Sequence, residues 1–144
     1  MPLDKGRFAT AGLLVSAALW FGHETAAQGG LTATSPRRGG NPQAAKIVSP
    51  VPSTPASVAA GRAVYQRLCG RCHGPEGKGD GGGAGAGGQP ADFTDATWDF
   101  GGSDGEIFSA IREGTSADME SYAERLSETE IWNLVHFIRS LREK

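Results

Sequence analysis

The string Cys69-Gly70-Arg71-Cys72-His73 constrains this chain more than any other feature. Two thiols separated by two residues, with an imidazole directly after the second, suit a flat macrocycle gripped along one edge. The thiols reach two vinyl groups on that edge, and the next residue directs its ring at the metal from one face. Two intervening residues at a helix end allow all three at once, so the string reads as a c-type haem attachment site. Competing uses of the cysteines are less well served. A thioredoxin-type dithiol comes with a βαβ pattern, and no convincing strand is present. A structural zinc site takes four ligands, commonly from two such pairs, whereas the chain has only 2 cysteines. A plain disulfide leaves His73 unexplained.

The first residues read as an export signal. Lys5 and Arg7 precede an uncharged, mostly apolar run from Phe8 to Phe21, and Thr25-Ala26-Ala27 offers small residues for cleavage after Ala27. The run is short of the roughly 20 apolar residues that a spanning helix needs. Residues 1–27 are therefore expected to be a cleaved signal peptide, the mature form not membrane-spanning, and the location the periplasm. Residues 28–56 hold Pro36, Pro42, Pro50, Pro52 and Pro55 among Gly, Ser and Ala without an apolar period, which predicts a disordered linker.

The remaining segment, 57–144, reads as one all-α domain. Val58, Gly61, Val64, Tyr65 and Leu68 predict a helix over 57–69. Ser103 and Glu106 form a capping box that opens a helix over 103–113, with Gly114 as its stop. Ser127 and Glu130 open the last helix, 128–142, whose apolar face is Ile131, Leu134, Val135, Ile138 and Leu141, widened by Phe137. Residues 74–88 are a glycine-rich loop. Their Gly83–Gly88 stretch matches G-x-G-x-x-G, but no strand precedes it and no helix follows, so the dinucleotide reading is set aside. With apolar residues at 38% and 22 glycines in the whole chain, this domain is marginal on its own side chains, and a haem would complete its core.

His73 offers one axial ligand through Nε2. For the other, the segment after the signal contains only Met119 and His136. The helical period puts His136 with Asn133 and Ser140, opposite the apolar face, so it is expected at the surface. Met119 sits in the loop between the last two helices and is the preferred sixth ligand, which raises reduction potential relative to a bis-His site.

These pieces resemble the class I c-type cytochromes, in the small bacterial monohaem group similar to cytochrome c6 and the cytochrome c domains of cbb3-type oxidases. The resemblance covers about 57–144. It rests on Ala60-Gly61-Arg62-Ala63-Val64-Tyr65 ahead of Cys69–Gly74, on Gly77-Lys78-Gly79-Asp80-Gly81, on Pro90-Ala91-Asp92-Phe93-Thr94-Asp95, and on Met119 followed by Leu126-Ser127 and the Glu130–Leu141 pattern. It implies a cytochrome c fold, with three or more short helices around one haem c bound through Cys69 and Cys72 and with the N- and C-terminal helices crossing. Gly61 would then sit against Phe137 or Trp132, and a loop carbonyl, of Pro90 or a nearby glycine, would accept the His73 Nδ1–H. The family usually has Pro after the axial Met, and this chain has Glu120, which predicts a more labile Met119–iron bond.

The domain carries 9 Lys/Arg against 14 Asp/Glu, and 92–130 alone holds 11 acidic residues. This argues against a nucleic-acid binder; the acidic stretch reads either as a solvated surface or as a docking rim for redox partner proteins with a basic surface, met as a monomer or a weakly bound subunit. With both axial positions filled, no open iron site remains for catalysis. The expected function is a single-electron carrier cycling Fe(III)/Fe(II), with an obligate electron-transfer subunit of a periplasmic dehydrogenase or oxidase as the alternative.

Overall fold

The computed structural model describes residues 32–83 and 88–142, all within one compact unit, Leu31–Lys144. The expected signal peptide, 1–27, and most of the Gly83–Gly88 string lie outside the described residues.

Four helices follow a single 3₁₀ turn at Ala44–Lys46: α1 Pro55–Leu68, α2 Gly70–His73, α3 Asp104–Glu113 and α4 Glu128–Leu141. No strand occurs among the described residues, in keeping with the all-α expectation. The three longer helices start the same way. Thr54–Ser57, Ser103–Glu106 and Ser127–Glu130 each form a reciprocal capping box, so the first free backbone N–H groups are satisfied locally. Pro55 at the first position of α1 has its φ preset for a helix and lacks the N–H that would be left over. This starts α1 two residues before the apolar period does.

The core is the crossing of α1 with α4, closed on one side by α3. A Cβ at Gly61 would collide with the Asn133 carbonyl oxygen and lie 2.9 Å from Phe137 Cβ. The expected contact with Phe137 is present, and the closer neighbour is the α4 backbone itself. Trp132 instead stacks on Phe108 of α3, ring centroids 4.3 Å apart. Tyr65, fully buried, packs on Phe137 and donates its hydroxyl to Gly74 O at 2.7 Å, tying α1 to the end of α2.

Two expectations are corrected here. Part of the expected linker, 32–47, is packed on α3 rather than disordered. Asn41, 1% exposed, donates its backbone N–H to Glu106 Oε1 at 2.7 Å, and its side-chain amide donates to the carbonyls of Ala33 and Ser35. Ser109 Oγ donates to Thr34 O, and Ala44 is buried against Gly105. The segment lacks an apolar period because hydrogen bonds and one small buried side chain fix it, which hydropathy does not register. His136 is not at the surface but buried, with Nδ1 3.2 Å from Ser57 Oγ. The side of α4 opposite its apolar stripe is covered by α1.

Candidate functional site

The site is assembled from the end of α1. Cys69 closes α1 through its N–H to Tyr65 O at 2.8 Å and opens α2, because the N–H groups of Cys72 and His73 both return to Cys69 O, at 3.1 and 3.0 Å. One backbone turn thus sets both thiols and the imidazole. The glycine-rich loop then folds back along α2: the N–H groups of Gly79, Gly81 and Gly83 donate to the carbonyls of His73, Cys72 and Arg71 at 2.9, 3.1 and 2.9 Å. At Gly81 a Cβ would strike the Arg71 and Cys72 carbonyl oxygens, so the approach demands glycine.

The His73 ring is held from two sides. Nδ1 lies 3.1 Å from Ala91 O, and Phe93 stacks on the ring with centroids 4.5 Å apart and planes at 21°. Donation from Nδ1 to a carbonyl leaves Nε2 with the lone pair that a metal needs. The orienting carbonyl is that of Ala91, not of Pro90 or a glycine; the Pro90 carbonyl instead packs against Gly79. Burial lowers the His73 pKa, opposed by the bond to Ala91, and so favours the neutral ring.

A cleft of about 640 Å³ is lined by Cys69, Cys72, His73 and Met119 together, a size within the usual range of cofactor pockets. Met119 is half-buried in a loop that Gly114 turns off the end of α3. The loop is tied down by Thr115 N–H to Met119 O at 2.9 Å, Met119 N–H to Ser116 Oγ at 3.2 Å, and Ser121 Oγ to Arg112 O at 2.7 Å. Glu120, standing where the family usually has proline, is exposed. His136 does not line the cleft.

Phe93 and Trp98, stacked with centroids 5.9 Å apart, add an aromatic wall that periodicity did not reveal, since both sit in irregular segments. The Trp98 indole N–H is buried with no hydrogen-bond partner among the described residues. Two thiols, an oriented imidazole, a thioether and an aromatic wall on one cleft fit a haem. The alternatives fit less well. Burial pushes the Cys69 thiol up to about 11, with Arg125 opposing, which disfavours the thiolate that dithiol redox chemistry requires. Among the described residues no group of three or more His, Cys, Asp or Glu is placed to hold a metal ion.

Comparison with known proteins agrees. A chain of the Kuenenia stuttgartiensis reducing HAO-like protein complex is 33% identical, with a TM-score of 0.59, over 67% of this chain and 48% of that one. The chain thus spans about half the length of that relative. A c-type cytochrome is 34% identical over 57% of this chain and 96% of its own length, with a TM-score of 0.49. Cytochrome cL of Methylophaga aminisulfidivorans shares the fold at 19% identity and a TM-score of 0.52, over 71% of this chain and 61% of its own. The family model described as cytochrome c oxidase, cbb3-type, subunit III matches residues 56–138, more than half of the 144-residue chain. The chain belongs to that family and is a c-type cytochrome, a protein of covalently bound haem c and iron.

Proposed function

We propose that this cytochrome is a single-electron carrier of the periplasm, with one haem held through Cys69 and Cys72 and its iron bound by His73 and Met119. The observation that supports this reading is the convergence of those four side chains on one cleft. The haem, when bound, supplies the one-electron Fe(III)/Fe(II) couple. The chain's own residues do the rest. Ala91 O holds the His73 Nδ1 proton, and so the ring's orientation. Phe93 and Trp98 wall the cleft with apolar surface. Met119 would occupy the position at which a substrate could otherwise reach the iron, which favours a carrier over an enzyme.

Asp92, Asp95, Asp99 and Asp118 line the cleft, which favours a partner with a basic docking surface. Electron transfer to such a partner slows as salt rises, and a salt-independent rate would remove the docking argument. The second reading, a subunit of an oxidoreductase complex, is favoured by the likeness to a chain of the reducing HAO-like complex. Co-purification with a partner at stoichiometric yield would select it.

The test is the visible spectrum of full-length protein made with haem-attachment machinery. Haem that resists acid–acetone extraction, together with the ferric charge-transfer band of a methionine-bound iron, is expected. Met119→Ala should abolish the band and keep the covalent haem. Extractable haem overturns the cysteine attachment, and a wild-type spectrum without the band overturns Met119.

A further inference from the structure

The family match begins at residue 56, yet one residue lining the haem cleft comes from the segment before it: Arg38. We infer that this preceding segment is part of the cofactor site and that Arg38 is the counter-cation for a carboxylate of the bound haem. The inference rests on reading the cleft as the haem site.

Two observations carry it. Arg38 is the only Lys or Arg among the described residues that line the cleft, whose lining also includes four aspartates: Asp92, Asp95, Asp99 and Asp118. A haem brings carboxylates of its own, and a carboxylate set into so acidic a surround is costly without a cation. Second, Arg38 is held in place. Nη1 donates to Asp99 Oδ2 at 2.9 Å, and the guanidinium lies 5.5 Å from the Phe100 ring centroid. The next residue, Gly39, donates its N–H to Asp99 O at 2.7 Å, and Asn41 is anchored on Glu106. The bond to Asp99 occupies one of the five guanidinium donors, so others remain for a second carboxylate.

A positive charge near the iron favours the reduced state, which carries one positive charge fewer. Removing it must lower the reduction potential. Equilibrium redox titration of the full-length holoprotein is the test, with wild type compared to Arg38→Gln, Arg38→Lys and Arg37→Gln, the last neutralising a neighbour that does not line the cleft. Arg38→Gln should shift the reduction equilibrium roughly three- to tenfold toward the oxidised form, about 30–60 mV at 59 mV per decade for one electron. Arg38→Lys should recover part of the shift, and Arg37→Gln should leave the potential unchanged. Equal potentials for Arg38→Gln and wild type, or equal shifts for Arg38→Gln and Arg37→Gln, overturn the inference. If Arg38→Gln does not accumulate as holoprotein, Arg38→Met reads the same site: a lowered potential supports it and an unchanged one overturns it. The covalent haem and the methionine band of the wild type are recorded alongside. Their absence brings down the haem reading itself, whereas their presence with an unmoved Arg38→Gln potential brings down only the role of Arg38.

Discussion

Gly61 shows how one missing methyl group sets the distance between two helices. In an isolated helix, alanine would be about 1 kcal/mol better than glycine. Here its Cβ would meet the Asn133 carbonyl, a backbone atom that cannot rotate away, and Phe137 Cβ at 2.9 Å. Gly61→Ala is therefore expected to destabilise the holoprotein by about 2 kcal/mol or more, the scale of overpacking costs. The denaturation midpoint reads it, and a higher midpoint would mean that α1 and α4 do not cross so closely. That Gly61 had a packing reason was legible in the sequence, because a glycine in mid-helix is otherwise a loss. Its partner was less so, since the Asn133 carbonyl is a backbone group that side-chain patterns do not report. His136 was misread for a related reason. The helical period separates it from the apolar stripe, but α4 is covered on that side too, where Ser57 provides a polar contact at 3.2 Å.

Among the elements, the segment before α1 is joined to α3 through one carboxylate. Glu106 completes the capping box with Ser103 and also accepts the Asn41 N–H at 2.7 Å. The box was legible as S-x-x-E; the added acceptor was not, because nothing in a stretch rich in proline and glycine announces a buried asparagine. Burial raises the Glu106 pKa, but bonds from the Ser103 N–H and hydroxyl and from the Asn41 and Gly102 N–H groups outweigh it, so the net shift is downward. A carboxyl whose folded pKa lies below its unfolded one stabilises the fold above the unfolded value. That contribution is lost as pH falls through the folded value. Glu106→Gln should therefore lower the melting temperature near pH 7, by an amount corresponding to about 1–2 kcal/mol for charge-assisted bonds. The gap to wild type should narrow as pH drops below about 4. Amide exchange at Asn41 should quicken in the same variant. Equal melting temperatures at pH 7 would show that Glu106 caps α3 without securing the preceding segment.

On the scale of the molecule, the side-chain core is lopsided. Tyr65, Phe108, Ile131, Trp132, Leu134 and Phe137 form a dense body where α1, α3 and α4 meet. On the other flank Phe93, Trp98, Ile107, Ile111 and Ile138 line the cleft of about 640 Å³. A haem in that cleft would pack on those side chains and extend the core. Small domains have little stability to spare, since the fraction of surface they bury is low. The capping boxes and the α1–α4 crossing favour helices locally, but an isolated helix of this length is marginal in water and relies on tertiary packing. The fold class could thus be read from the sequence through caps and periodicity, while the cofactor's share of the core followed from the attachment string together with a composition poor in apolar residues. The expected outcome for Cys69→Ala/Cys72→Ala protein prepared free of haem is low helical circular dichroism and no cooperative melt. If that variant instead kept native-like helicity and melted cooperatively, the α1–α4 body would be shown to fold on its own, and the haem would be a guest in a preformed cleft rather than half of its core.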